Sequence, residues 1–487
     1  MDTREPSVTV VESSTERPDI TPGRHKWFVL STVSVGTFMA TLDGSIVNIS
    51  LPKIQDAFGV NLAAIEWIVV AYLLVVGALL LPFGRLGDII GYKRVYLLGF
   101  AIFAAASALC GSSNGVWMLV GFRSLQGIGA AMLQAMGPAI VTHTFGAKER
   151  GMALGLNSIS VSIGLSIGPA LGGLLTEYGS WRAIFYVNVP VGIFAILWAW
   201  RILGNERGET RQRFDFRGAI LSSGGLFALL LALIQGEEWG WNSAPVLALF
   251  GMSVLLIGSF IIAELHSPHP MLELRLFKIR AFIAGNVSLL IAFAGLFIAT
   301  FLMPFFLQRG QGFSPLKAGL LLTPIPLTTM IFAPFAGWFS DRIGTRLPAT
   351  VGIGIMAFGL YTLTQLHVSA SYWDLIWRLM IIGAGQGLFN SPNSSAILGS
   401  VPRIRLGIAS GTLAEMRING QVLGIAAGGA IIANRMAVHV AALSGHLPPD
   451  IVQRDAFILS LHDAFYVSAA VVALGVFTSL VRGKNAD

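Results

Sequence analysis

The chain has 487 residues, of which 54% are hydrophobic and only 12% charged, with a formal net charge of +7 at pH 7. A chain this long and apolar cannot cover itself with polar surface, so lipid rather than water is its solvent. The basic excess lacks the aromatic-interleaved basic face of a nucleic-acid binder, and a lone Cys110 excludes a disulfide framework.

Residues 1–25 are polar, rich in Ser, Thr, Glu and Pro, and read as a disordered cytoplasmic tail. No cleavable signal is expected, because the first apolar run is full length and further runs follow. Fourteen apolar runs are expected as helices, each near or above the roughly 20 residues that cross a ~30 Å hydrocarbon core. The seventh, eighth and twelfth centre near Leu226, Ser253 and Gly385. Alternating ten-residue strands, the mark of a membrane β-barrel, do not occur. Of the 32 Lys and Arg, about 23 lie on the side of the N-terminal tail and about six opposite. Positive-inside counting then puts both termini in the cytoplasm of a cell (inner) membrane.

Within these runs the ionisable residues stand out, since each costs on the order of 2.5–3.5 kcal/mol at the bilayer centre and so needs a partner or a task. Asp43 lies about 16 residues into the first run, and Arg123 about eight residues into the fourth from the opposite surface. At 1.5 Å per residue those depths are ~24 Å and ~12 Å from opposite faces, both in the outer half. The two are expected to interact across the N-terminal bundle. Asp43 would be the proton-titrating or cation-binding carboxylate, and Arg123 would favour its charged form until substrate or proton displaces the pairing. The alternative is a static ion pair that fixes packing.

Glu415 and Arg417 in the thirteenth run are two residues apart, about 200° around a helix, so they face different sides and form no local salt bridge. A carboxylate near the midplane suits a cationic substrate or a second proton site; the alternative is a pairing with a neighbouring helix. Glu66 and Trp67, Asp374 beside Arg378, and His143 are expected as interfacial anchors. Phe297, Phe305, Met330 and Phe389 either line an adaptable apolar cavity or simply pack.

The chain is internally duplicated. Gly151, Gly155, Gly164, Gly168, Gly172 and Gly173 recur as Gly407, Gly411, Gly420, Gly424, Gly428 and Gly429 at one offset of 256, joined by Gly127/Gly383 and Gly129/Gly385. GRLGDIIGYKR at Gly84 recurs as GWFSDRIGTR at Gly337, carrying Asp88/Asp341 and Gly91/Gly344 at an offset of 253. Each aspartate is expected in a Gly-bounded cytoplasmic turn, where it can accept from the positive end of an adjacent helix. Glycines at three- and four-residue steps are expected to line one face of the fifth and thirteenth helices. Pro169 bends the fifth, with Pro324 and Pro326 supplying a matching irregularity in the tenth. Two six-helix halves leave two runs over. The expected division is a bundle at 26–203, a basic linker and two inserted helices at 204–270, a second bundle at 271–482 and a tail at 483–487. Pro268 and Pro270 would end any helix, so HSPHPMLELRLFKIR is expected as an interfacial strap.

LGDIIGYKR after Gly84, FRSLQGIGAA around Arg123 and GxxxGPxxGG from Gly164 to Gly173 resemble three signatures of the major facilitator superfamily, the last its antiporter motif. TLDGSIVNISLP from Thr41 and WRAIFYVNVPVG from Trp181 are similar to signatures of its fourteen-helix drug:proton antiporter branch. The resemblance implies an all-α membrane fold. It also implies a latch built from Gly84, Asp88, Gly91, Arg94 and Asp341, in which Asp88 docks near Gly407 in the outward-facing state, and a bend at Gly168 and Pro169 that seals one bundle on the other. Arg417 matches the branch; Glu415 replaces its usual small or polar residue, and Ile89 replaces a basic one.

No Walker loop, zinc-ligand cluster or nucleophile elbow is present, so no enzyme activity and no cofactor are expected. The expected function is proton-coupled antiport that exports amphipathic, cationic or neutral small molecules by alternating access, with substrate held between the halves. Protons, small-molecule substrate and membrane lipid are the expected partners, and the protein is expected to be a monomer. The alternatives are a dedicated exporter or symporter of one metabolite, lipid or siderophore, and a non-transporting membrane sensor or scaffold.

Overall fold

A computed structural model describes residues 23–146, 149–204, 216–240, 242–266, 274–402, 405–444 and 448–481. Most of the expected N-terminal tail, the centre of the linker, the proline pair of the strap and the C-terminal tail fall outside them.

The described residues form an all-α chain without strands. In order the helices are α1 (His25–Phe58), α2 (Leu62–Ile90), α3 (Tyr92–Gly111), α4 (Val116–Thr144), α5 (Arg150–Tyr178), α6 (Ala183–Tyr186), α7 (Asn188–Ile202), α8 (Phe216–Trp239) and α9 (Ala244–His266). There follow α10 (Arg280–Phe305), α11 (Pro315–Leu322), α12 (Pro324–Ile343), α13 (Arg346–Leu363), α14 (Tyr372–Gly399), α15 (Leu406–Leu443) and α16 (Pro449–Leu480). The expected sixth and tenth runs are each broken in two, at Val187 and at Thr323, the second break followed by Pro324. Proline supplies no amide hydrogen and so starts a helix more readily than it continues one.

Among the described residues, twelve helical spans are long and apolar enough to cross a membrane. The chain is a multi-pass membrane protein. The expected crossings near Leu226 and Gly385 are helical but less apolar: α8 keeps only Ile220–Leu233 as a short apolar stretch, and α14 carries Asp374, Arg378, Gln386, Asn390 and Asn393.

The duplication in sequence is a duplication in packing. α1 and α5 run side by side in the same direction, with Gly164 against Leu42, Gly168 against Ser45 and Gly172 against Ile46. α10 and α15 repeat this, with Gly420 against Leu290, Gly424 against Ala294 and Gly428 against Ile298. A Cβ added at Gly129 would lie 2.8 Å from the Gly99 carbonyl oxygen, and one added at Gly385 would lie 2.8 Å from that of Gly352. α3 thus closes on α4 as α13 closes on α14. The paired α8 and α9 lie outside this repeat, α8 resting on both α2 and α15 and donating from Ser223 Oγ to the Ala78 carbonyl (2.5 Å).

Gly91 and Gly344 hold φ of +102° and +85° immediately after α2 and α12, and their amides close the last turns onto Gly87 and Ser340. Asp88 and Asp341 therefore sit in the final helical turn rather than in the loop expected from the sequence, because each helix runs on to its glycine. Positive φ with an extended ψ is open essentially to glycine alone, so Gly91→Ala should cost about 1–3 kcal/mol. The check is a lowered unfolding midpoint of the detergent-solubilised protein.

Candidate substrate and proton site

Asp43, Arg123, Gln126 and Asn188 meet inside the N-terminal half, the first three wholly buried and Asn188 nearly so. Arg123 Nη1 donates to Asp43 Oδ2 (2.5 Å) and to Gln126 Oε1 (2.6 Å), while its Nε donates to the Ile68 carbonyl (3.1 Å). Asp43 Oδ1 accepts from Gln126 Nε2 (2.9 Å) and Asn188 Nδ2 (2.8 Å). Gln126 Nε2 also donates to Ser107 Oγ (2.7 Å), and the Arg123 guanidinium lies 4.1 Å over the Tyr72 ring. Five helices, α1 to α4 and α7, thus converge on one carboxylate.

The structure brings together the Asp43 and Arg123 singled out from the sequence. It adds Gln126, Asn188, Ser107 and Tyr72, which sequence reasoning missed. Two had a signal: Gln126 falls within FRSLQGIGAA, three residues from Arg123 and so on the same helix face, and Asn188 within WRAIFYVNVPVG. A polar side chain inside an apolar run is itself a sign of a partner.

Glu415 and Arg417 are half-buried on α15 and do not join this cluster. Among the described residues neither forms a hydrogen bond or ion pair; the Arg417 guanidinium lies 5.4 Å over the Phe293 ring of α10. Glu415 is within about 60° of Ile418 around the helix, and Ile418 packs where a Cβ on Gly77 of α2 would meet it at 3.1 Å. Glu415 therefore turns towards the N-terminal half and Arg417 towards its own.

Contacts between the halves gather at the end where α1 finishes. Gln308 Nε2 donates to the Ile49 carbonyl (2.7 Å), Arg309 pairs with Asp56 (2.6 Å), and the Leu316 amide at the start of α11 donates to Glu177 Oε2 (2.9 Å). A π-helical turn at Phe306–Gly310 carries the first two of these side chains. The antiporter-motif glycines do not share one face as expected. Gly164, Gly168 and Gly172 lie on α1, but Gly173, 100° further round, sets its backbone against Pro315 and Leu316 of the other half. Pro169 does likewise with its carbonyl against Gly319. In the second copy Gly429 makes the equivalent crossing, so close to α2 that a Cβ would enter the Glu66 carboxylate. Glu66 is thus a buried contact between halves rather than an interfacial anchor.

Of the latch residues, Asp88 accepts from the Tyr92 hydroxyl (2.9 Å) and lies 3.7 Å from Arg85. Among the described residues none of its hydrogen bonds reaches α15, Arg94 and Asp341 are exposed, and a Cβ on Gly84 would meet open space. Asp374 pairs with Arg378 (3.0 Å), and the buried Arg378 also donates to the Thr362 carbonyl, which makes it a helix-packing group. His143 stacks edge-on with Tyr92. Phe305 and Phe389 are fully buried core, whereas Phe297 is only partly buried and stacks with Phe293, and Met330 is exposed.

Residues 33–425 match the Major Facilitator Superfamily. The chain is 33% identical to the riboflavin transporter RibZ of Clostridioides difficile, over 95% of this chain and 99% of that one. It is 32% identical to the multidrug resistance protein Stp of Mycobacterium tuberculosis, over 88% and 80%. To the tetracenomycin C resistance and export protein of Streptomyces glaucescens it is 32% identical, over 84% and 76%. In structure it resembles a bacterial homologue of the human lysosomal transporter Spinster in an inward-facing, unoccupied conformation, with TM-score 0.70 at 17% identity over 96% of this chain and 100% of that one.

Proposed function

The chain belongs to the major facilitator superfamily, a family of transporters, and from that premise we propose that it is a proton-coupled antiporter exporting amphipathic, cationic or neutral small molecules. The observation that carries this reading is the fully buried Asp43, held by Arg123 and Gln126 of α4 and by Asn188 of α7. With Arg123 paired the cluster is neutral. Adding a proton to Asp43 leaves an uncompensated guanidinium in a low-dielectric site, a state that favours rearrangement of the bundle over persistence. Proton binding and helix position are linked in this way. Glu415, without a partner among the described residues and turned towards the other half, is the group a cationic substrate would meet.

In this reading both termini are cytoplasmic in the cell membrane, α8 and α14 also cross to make fourteen spans, and the protein acts as a monomer. The seal at Gly173 and Pro169 faces outward and the cleft opens to the cytoplasm. Asp88 and its neighbours, bonded within their own turn, latch onto the start of α15 when the cleft closes there. Boundaries near residues 203 and 270 separate the two bundles from the inserted pair.

The test is efflux of an amphipathic cationic dye from proteoliposomes under an imposed pH gradient, with proton movement followed in parallel. Dye movement that ignores the gradient would overturn the coupling. Glu415→Gln is expected to raise the half-saturating concentration for a cationic dye by more than about fivefold, as loss of one charge contact does, while leaving a neutral substrate unaffected. A second reading, a carrier dedicated to one metabolite, is favoured by the near-complete overlap with RibZ. It predicts that one compound competes and a drug panel does not.

A further inference from the structure

The three polar groups bonded to Asp43 differ in how firmly each is held. Arg123 can only donate. Gln126 is fixed from both ends, its Oε1 accepting from Arg123 (2.6 Å) and its Nε2 shared between Asp43 (2.9 Å) and Ser107 (2.7 Å). Turning that amide over would set Nε2 against the Arg123 guanidinium, donor facing donor. Asn188 is held to the cluster by one bond alone, Nδ2 to Asp43 Oδ1 (2.8 Å), and its orientation is settled by the carboxylate, which only an N–H can face. It is also the first residue of α7, directly after the break at Val187 that separates α6 from α7.

A protonated carboxyl must find an acceptor where a carboxylate had donors. We propose that Asn188 is the positioning residue that accommodates the proton on Asp43: its amide turns over, so that Oδ1 accepts from the protonated Asp43 oxygen in place of the Nδ2 donation. No covalent bond changes except that the incoming proton joins Asp43 Oδ1. Gln126 and Arg123 keep their places, and the movement is delivered to the α6–α7 break. Titratable groups facing the carboxylate are Arg123 from α4, Tyr72 from α2 and Cys110 from α3. Tyr72 lies under the guanidinium, and the Cys110 thiol faces Gln126 Oε1 at 3.9 Å. Among the described residues, then, no group other than Asn188 is both able to accept and free to turn.

This inference rests on Asp43 being the proton site, and the experiment separates the two. Asn188→Leu removes a donor to the charged form of Asp43 and an acceptor for the protonated form, and because the bond to the charged form is the stronger of the two, the net effect favours protonation; Asn188→Asp keeps the shape and sets a second carboxylate beside the first. In proteoliposomes, the pH of half-maximal gradient-driven transport should move upward by about one unit for Asn188→Leu, and further for Asn188→Asp because two adjacent carboxyls share a proton. Dye-for-dye exchange without a gradient is the reference, and in both variants it should fall less than gradient-driven transport does. If Asn188→Leu does not reach the membrane, the near-isosteric Asn188→Asp decides alone. Profiles superimposed on the parent, or equal loss of coupled transport and exchange, overturn the role of Asn188. If instead Asp43→Asn retains pH-dependent transport, the underlying site assignment fails.

Discussion

Asp43→Asn is expected to reduce pH-gradient-driven efflux to background while dye-for-dye exchange persists. Removing one partner of a buried ion pair outright costs about 3–5 kcal/mol, because the surviving charge is stranded. Alanine at this position would therefore confound loss of coupling with loss of folding. Asparagine keeps the shape and one acceptor for Arg123, which also retains the Ile68 carbonyl and the Tyr72 face. The variant should reach the membrane and elute as the parent does. What it lacks is a group that can gain and lose a proton. Efflux by the variant that still follows the imposed gradient would remove Asp43 from the coupling scheme.

Gly173→Val is expected to disable transport from a different direction. A Cβ there would lie 2.7 Å from the Leu316 Cα, and the obstacle is backbone rather than a movable side-chain tip. Overpacking of this kind costs about 1–3 kcal/mol, a population shift on the order of 5- to 150-fold away from the sealed arrangement. Spin labels on cysteines introduced at the exposed Lys53 and Lys317, one on each half, should report a longer distance in the variant. The single native cysteine, Cys110, is buried and leaves the background clean. An unchanged distance with normal efflux would mean that Gly173 is ordinary packing. Gly428→Ala makes the contrasting control, because its Cβ would lie 3.7 Å from Ile298, an ordinary contact within one half.

Much of the fold is legible in the sequence. The positions of the helices, the duplication and the irregularity of the tenth run follow from apolar length, glycine register and proline placement, whereas the break of the sixth run at Val187 was not expected. Two expectations needed correction for one reason: α2 and α12 continue to Gly91 and Gly344, so Asp88 and Asp341 are helical. Glu66 read as an interfacial residue because it lies near a helix end; only the approach of Gly429 shows that the position is buried. The candidate site was half legible. A buried Asp and Arg at matching depth ask to be paired, whereas Gln126 and Asn188 are neutral and make a weaker demand.

By itself the sequence determined the solvent, the helical class and the internal repeat, because burial in lipid is decided by composition along each run and a repeat is a matter of register. Only the tertiary structure decided which groups meet. Asn188 reaches Asp43 across 145 residues, and Gly172 and Gly173, identical and adjacent, serve different halves of the molecule. Contacts of that kind depend on how helices approach and rotate against one another, and spacing along a single helix sets the angle of a residue without setting what stands opposite it.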